Sequence, residues 1–182
     1  MEEQKIITGT KQEIWDTIER DLTVDGEVLG YDALLDDGQH RVALYIDIDL
    51  GGGFEGGSAL TRITSPLHVS PGFRFALHDE DFLDSIGKFF GLEDVVTGYP
   101  ELDDHVVIKT NAREKLVELF ADDEVRRVLT GLEDFDLGIH HRTVDDVEYP
   151  FLELNINDGV TDPAYLHSIF NVFYKLIDGL ER

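Results

Sequence analysis

Gly51-x4-Gly56-Gly57-Ser58 has the glycine spacing of a phosphate-binding loop. That loop needs a lysine to hold the β- and γ-phosphates, and Gly57 stands at its position. It also needs a helix N-terminus to follow, whereas Ala59–Thr64 is rich in β-branched residues and reads as a strand. The segment is therefore expected to be a strand-to-strand loop. A second stretch, Asp21-Leu22-Thr23-Val24-Asp25-Gly26, follows a helical pattern and has Asp32 twelfth, as a calcium loop would. Its first, fifth and sixth positions fit, and Val28 suits the apolar eighth. Thr23 is a poor third ligand, Asp32 is short for a bidentate twelfth, and Asp36-Asp37-Gly38 replaces the exit helix with a turn. A tight turn after the helix is expected instead.

The seven histidines are His40, His68, His78, His105, His140, His141 and His167. None makes the paired spacing of a zinc helix. His140 and His141 adjoin in a strand pattern and should point to opposite faces. Asp103-Asp104-His105 has the types for a carboxylate–imidazole pair, but reads as a loop and the start of a strand. No serine lies in Gly-x-Ser-x-Gly. No residue is nominated as catalytic, cofactor-binding or metal-ligating, and no cofactor is expected.

The bulk composition narrows the classes further. The net charge is −24, from 39 acidic and 15 basic side chains. Such a surface repels phosphate backbones and anionic membranes, and attracts basic proteins and cations. Nucleic-acid and membrane partners are thus excluded; the charge reads first as solubility alone, and a basic protein is the partner class that fits the sharper reading. High salt tolerance produces a similar composition. With no cysteine, disulfides and thiolate sites are excluded. The start of the chain, Met1-Glu2-Glu3-Gln4-Lys5, has no apolar signal stretch, so the expected location is cytoplasmic.

The elements that would position any site follow from periodicity. Thr10 and Glu13 form a capping box for a helix over Lys11–Asp21, with Ile14, Ile18 and Leu22 every fourth residue. Val24–Leu35 is ambiguous, with a strand broken by Gly30 as one reading. From Arg41 the period becomes two, with Val42, Leu44, Ile46 and Ile48 facing one way and Ala43, Tyr45, Asp47 and Asp49 the other. Further strands are read at Leu60–Thr64, Phe73–Leu77, His105–Thr110, Phe135–Ile139 and Leu152–Ile156. Pro150 belongs near the start of the last of these or on an edge. Helices are expected over 81–90, after Thr110 or Asn111, after Asp122 or Asp123, and from Asp162-Pro163 to Leu180. Strands come in groups, which favours the α+β class: a single domain, residues 1–182, with an antiparallel or mixed sheet and helices packed on it.

One stretch, Thr97-Gly98-Tyr99-Pro100-Glu101-Leu102-Asp103-Asp104-His105-Val106-Val107-Ile108-Lys109-Thr110-Asn111, resembles a pattern found in uncharacterised bacterial proteins. There a Gly-x-Pro-Glu-x-Asp turn leads into a strand, and a Ser/Thr-Asn/Asp pair caps the next helix. The resemblance covers the C-terminal two thirds and implies architecture, with no activity attached. It gives Pro100, Asp103 and Asn111 structural roles, as turn former, turn acceptor and helix cap. The function expected first is a non-catalytic protein-interaction or structural module. The alternatives are a small-molecule or divalent-cation-binding protein, an enzyme included, with a cleft at Asp47, Asp49, Asp103 or His105, and an acidic DNA mimic or inhibitor of a basic protein.

Overall fold

A computed structural model describes residues 4–23, 27–52, 56–68, 72–79 and 91–182. The α+β class is as expected. The described strands form one nine-stranded mixed sheet: β1 (Lys5–Thr8), β2 (Gly30–Asp36), β3 (Arg41–Asp49), β4 (Ser58–Pro66), β5 (Phe75–Asp79), β6 (Glu93–Asp94), β7 (Val106–Thr110), β8 (Phe135–Val144) and β9 (Val147–Ile156). They lie in the order β1-β2-β3-β4-β9-β8-β5-β7-β6. Among the described residues, five helices accompany them: α1 (Lys11–Leu22), α2 (Pro100–Asp103), α3 (Arg113–Leu119), α4 (Asp123–Leu129) and α5 (Pro163–Leu180). The helix expected over 81–90 lies outside the described residues.

All neighbouring pairs in the sheet but one run antiparallel, and three of them, β2–β3, β3–β4 and β8–β9, are consecutive elements of the chain. The pair β1–β2 runs parallel, because α1 carries the chain back from the end of β1 to the start of β2. The α1 start is the expected capping box: the Glu13 N–H donates to the Thr10 hydroxyl, and Glu13 accepts from the Thr10 N–H at 2.8 Å. Gly30 begins β2 rather than breaking it.

Register explains the core. Ala33, Leu44, Ile63, Leu154, Leu137, Leu77 and Ile108 are successive cross-strand partners, so they form one apolar row across seven strands. Every member is buried. Helices α1, α4 and α5 cover this face: Ile14, Trp15 and Ile18 of α1 lie near Leu35, and Ile169, Val172 and Phe173 of α5 near Leu137 and Leu154. Non-directional burial of this row is the main stabilising contribution to the fold.

The hairpin β8–β9 is longer than its apolar alternation indicates. Its two-residue turn, Asp145-Asp146, has φ of 50° and 62°, the left-handed pair that a primed turn needs and that aspartate tolerates. Strand β4 pairs with β9 only as far as Phe151, and β5 with β8 only over Asp136–Gly138. The rest of the hairpin is a two-stranded ribbon. Pro150 sits inside β9, three residues past its start, and its edge character comes from this geometry. Its carbonyl accepts the Leu67 N–H at 2.9 Å, so its missing N–H faces the same side, just beyond the last β4 pair.

Candidate functional site

The residues singled out by spacing do not come together. Asp47 and Asp49 are exposed on β3, while Asp103 and His105 lie beside β7. Five strand pairings separate β3 from β7, about 24 Å at the spacing of neighbouring strands, so no cleft joins them. Asp103 turns back on its own loop. One carboxylate oxygen accepts the Thr97 N–H at 2.8 Å and the Thr97 hydroxyl at 2.7 Å, and the other accepts the Gly98 N–H at 2.8 Å. Gly98 has φ +95°, a conformation that side chains resist. The Gly-x-Pro-Glu-x-Asp turn is thus as the resemblance implies, and Pro100 opens the single-turn helix α2. Asn111 is a correction. It does not cap α3, whose N-cap is Ala112 with no side-chain bond. Its amide instead accepts the Arg74 N–H and donates to the Gly72 carbonyl, holding the entry to β5.

The other spacings are also diverted. Asp21 accepts from Lys5 and from the Tyr31 hydroxyl, the Thr23 hydroxyl donates to the Glu19 carbonyl, and Asp32 accepts from Gln4. Asp25 and Gly26 lie outside the described residues, as do 53–55 of the glycine-rich segment. That segment is followed by β4, a strand, as expected. A Cβ on Gly57 would meet the Asp49 carbonyl oxygen at 2.5 Å, so this glycine serves a close backbone crossing. His140 stacks on Phe151, its cross-strand partner. Among the described residues, no group of three or more His, Asp or Glu side chains is arranged to hold a metal ion.

Two constellations were not singled out by spacing. The first is a polar row on the sheet face opposite the apolar row. Arg62, Asn155, Asp136 and His78 are successive cross-strand partners on β4, β9, β8 and β5. The Arg62 Nε–H donates to Asn155 at 2.7 Å, and Asn155 donates to Glu153 at 2.9 Å. His140 lies 3.8 Å from Asp136. Asn155, Glu153, Asp136 and His78 are all buried. The row reads as a polar layer that fixes strand register. Its signal was present in the alternation Phe135-Asp136-Leu137-Gly138-Ile139-His140.

The second is a cleft between α1 and α5, with a volume of about 330 Å³. Its wall is aromatic. Trp15 on α1 stacks on His167 of α5, with centroids 4.2 Å apart and planes 10° from parallel. Phe170 lies 6.4 Å from Trp15 and 6.3 Å from Tyr174, continuing the wall along α5. The helical period explains this array: His167, Phe170 and Tyr174 are spaced three and four apart and so share one face. The rim is charged. Lys11 sits 4.3 Å over the Tyr174 ring and 3.9 Å from Asp178. Lys175 is held by Asp122 at 2.7 Å and Glu124 at 2.6 Å. Those hydrogen bonds raise the Lys175 ammonium above its ordinary range, and Lys175 in turn lowers the Asp122 carboxyl.

Against the Tyr174 ring lies a charged cluster centred on His40. His40 is 3.5 Å from Asp37, 3.3 Å from Asp178 and 3.7 Å from Glu181. Burial opposes ionisation of Asp37, but the N–H groups of His40 and Gln39 and the His40 ring outweigh it and hold the carboxyl below its usual range. Burial, and then the Asp37 charge, push the Tyr174 phenol far above its ordinary value.

No helix among the described residues is long and apolar enough to cross a membrane. No protein-family model matches the chain, and no curated protein does. Among solved structures, it is similar to the crystal structure of the mycobacterial trehalose monomycolate transport factor A, at 9% identity and a TM-score of 0.47, over 91% of this chain and 82% of that one.

Proposed function

We propose that this protein is a small-molecule-binding domain whose ligand lies in the cleft between α1 and α5. The observation that supports it is the cleft itself: about 330 Å³, with a continuous aromatic wall and a few charged groups at its rim. Ligand sites typically occupy roughly 300–1,000 Å³ and combine an apolar lining with a small number of placed polar groups. The described lining holds no serine or threonine, and its lysines and carboxylates are already engaged with one another, which favours binding over covalent chemistry.

Trp15 is the only tryptophan in the chain, so its emission reports on the cleft alone. Titration with a panel of small aromatic and aliphatic probes should give saturable changes in that emission, with a parallel rise in Tm. Asn171→Phe should abolish both, because Asn171 is an exposed α5 residue on the cleft lining and a ring there occupies the space. If no probe moves either readout, the reading is wrong.

A second reading, association with a basic protein, is favoured by the net charge of −24 and by the projecting hairpin tip. There Val147 and Tyr149 are half exposed beside Asp145, Asp146 and Glu148. Asparagine tolerates the same left-handed turn, so the double change Asp145→Asn and Asp146→Asn removes charge while keeping the hairpin. Salt-sensitive binding to immobilised polylysine that weakens in this variant is the expected result. Equal retention of both proteins would rule out the tip.

A further inference from the structure

We propose that the α1–α5 cleft selects an organic ammonium ion carrying an apolar body, an inference that rests on the ligand-binding reading above. Three observations converge on it. Trp15, Phe170 and Tyr174 line the cleft, and the face of an aromatic ring carries the negative lobe of its quadrupole. The Tyr174 face already accepts a cation, since the Lys11 ammonium sits 4.3 Å above it. The rim is net negative: Lys175 is matched by two carboxylates, Asp122 and Glu124, and Lys11 by Asp178. The charge of −24 on the whole chain adds to that local field.

Lys11 acts in this picture as a tethered stand-in. Its nearest carboxylate oxygen is 3.9 Å away, beyond hydrogen-bond reach, and its side chain is 44% exposed. It can swing into water and leave the Tyr174 face and the Asp178 carboxylate to an incoming ammonium, whose apolar body then lies along Phe170 and Trp15. An anionic ligand has no such place. Lys175, the other cation at the rim, is closed off by two hydrogen-bonded carboxylates.

The experiment compares three probes of similar size, benzyltrimethylammonium, benzyl alcohol and benzoate, by Trp15 emission on the full chain and on Lys11→Met. The cation should bind about tenfold more tightly than benzoate. Lys11→Met removes the competing ammonium and should tighten the cation about fivefold. Asp178→Asn should weaken it. Lys11 opens α1, where a positive charge opposes the helix dipole, so its loss does not threaten folding. Lys11→Gln serves as a second neutral variant, and far-UV circular dichroism checks each one. If benzoate or benzyl alcohol binds as well as the cation, or if Lys11→Met and Lys11→Gln weaken cation binding, the cation inference is overturned while the ligand-binding reading stands. If none of the three probes saturates in either protein while other members of the broader panel do, the inference falls alone. Silence across the whole panel ends both.

Discussion

Leu154→Ala is expected to lower the free energy of unfolding by about 2–5 kcal/mol. Leu154 is 2% exposed at the centre of the apolar row, between Ile63 and Leu137, and lies beneath Ile169, Val172 and Phe173 of α5. Truncation removes its transfer free energy. It also leaves a cavity, because a nine-stranded sheet and an 18-residue helix cannot collapse locally to fill it. Leu50→Ala is the matched control. The chemistry is the same, but Leu50 is 66% exposed, and its loss should change stability by less than about 0.5 kcal/mol. Urea unfolding of both variants measures the difference. Similar small losses in the two would mean that α5 does not pack on β8 and β9 as described.

Asp103→Asn is expected to cost about 1–3 kcal/mol near neutral pH. The carboxylate satisfies the Thr97 N–H and hydroxyl with one oxygen and the Gly98 N–H with the other. An asparagine keeps one acceptor oxygen and sets an amide donor against the remaining N–H. The effect is linked to pH. Burial opposes ionisation of Asp103, but the hydrogen bonds from Thr97 and Gly98 outweigh it and lower the folded carboxyl below its ordinary value. A group depressed in this way stabilises the fold above its unfolded pKa, about 3.9, and that contribution is lost as pH falls through the lower folded value. Thermal melts of the wild type and the variant should therefore diverge at about pH 7 and converge toward about pH 3. A constant gap across that range would show that the charge contributes nothing to the turn.

Much of the local structure was legible. The Thr10–Glu13 capping box, the Asp162-Pro163 helix start, the alternation of β3 and the Thr97–Asp103 turn all depend on contacts within a few residues, so their signals lie together in the chain. Asn111 misled for the same reason. A residue of capping type beside a helix start reads as a cap, whereas its real partners, Arg74 and Gly72, lie nearly forty residues upstream across a strand pairing.

The cleft was hidden in a different way. Trp15, Phe170 and Tyr174 each fall within a helix that the sequence predicts, and a large ring on such a helix is usually core. Only the packing of α1 beside α5 leaves a gap between the two stripes, and that gap turns core-type rings into a wall. The polar row follows the same rule. Period-two alternation states which face of its strand a residue occupies, so Asp136, His140, Glu153 and Asn155 were separable from their apolar neighbours. It does not state which strands become neighbours. Order and register set β4, β9, β8 and β5 side by side and align Arg62, Asn155, Asp136 and His78. The amino-acid sequence by itself determined the charge, the type of most elements and the face that residues take on the strongly periodic ones, because these depend on backbone period and near neighbours. The tertiary structure alone decided which faces meet, because that depends on burying apolar area shared between segments far apart in the chain.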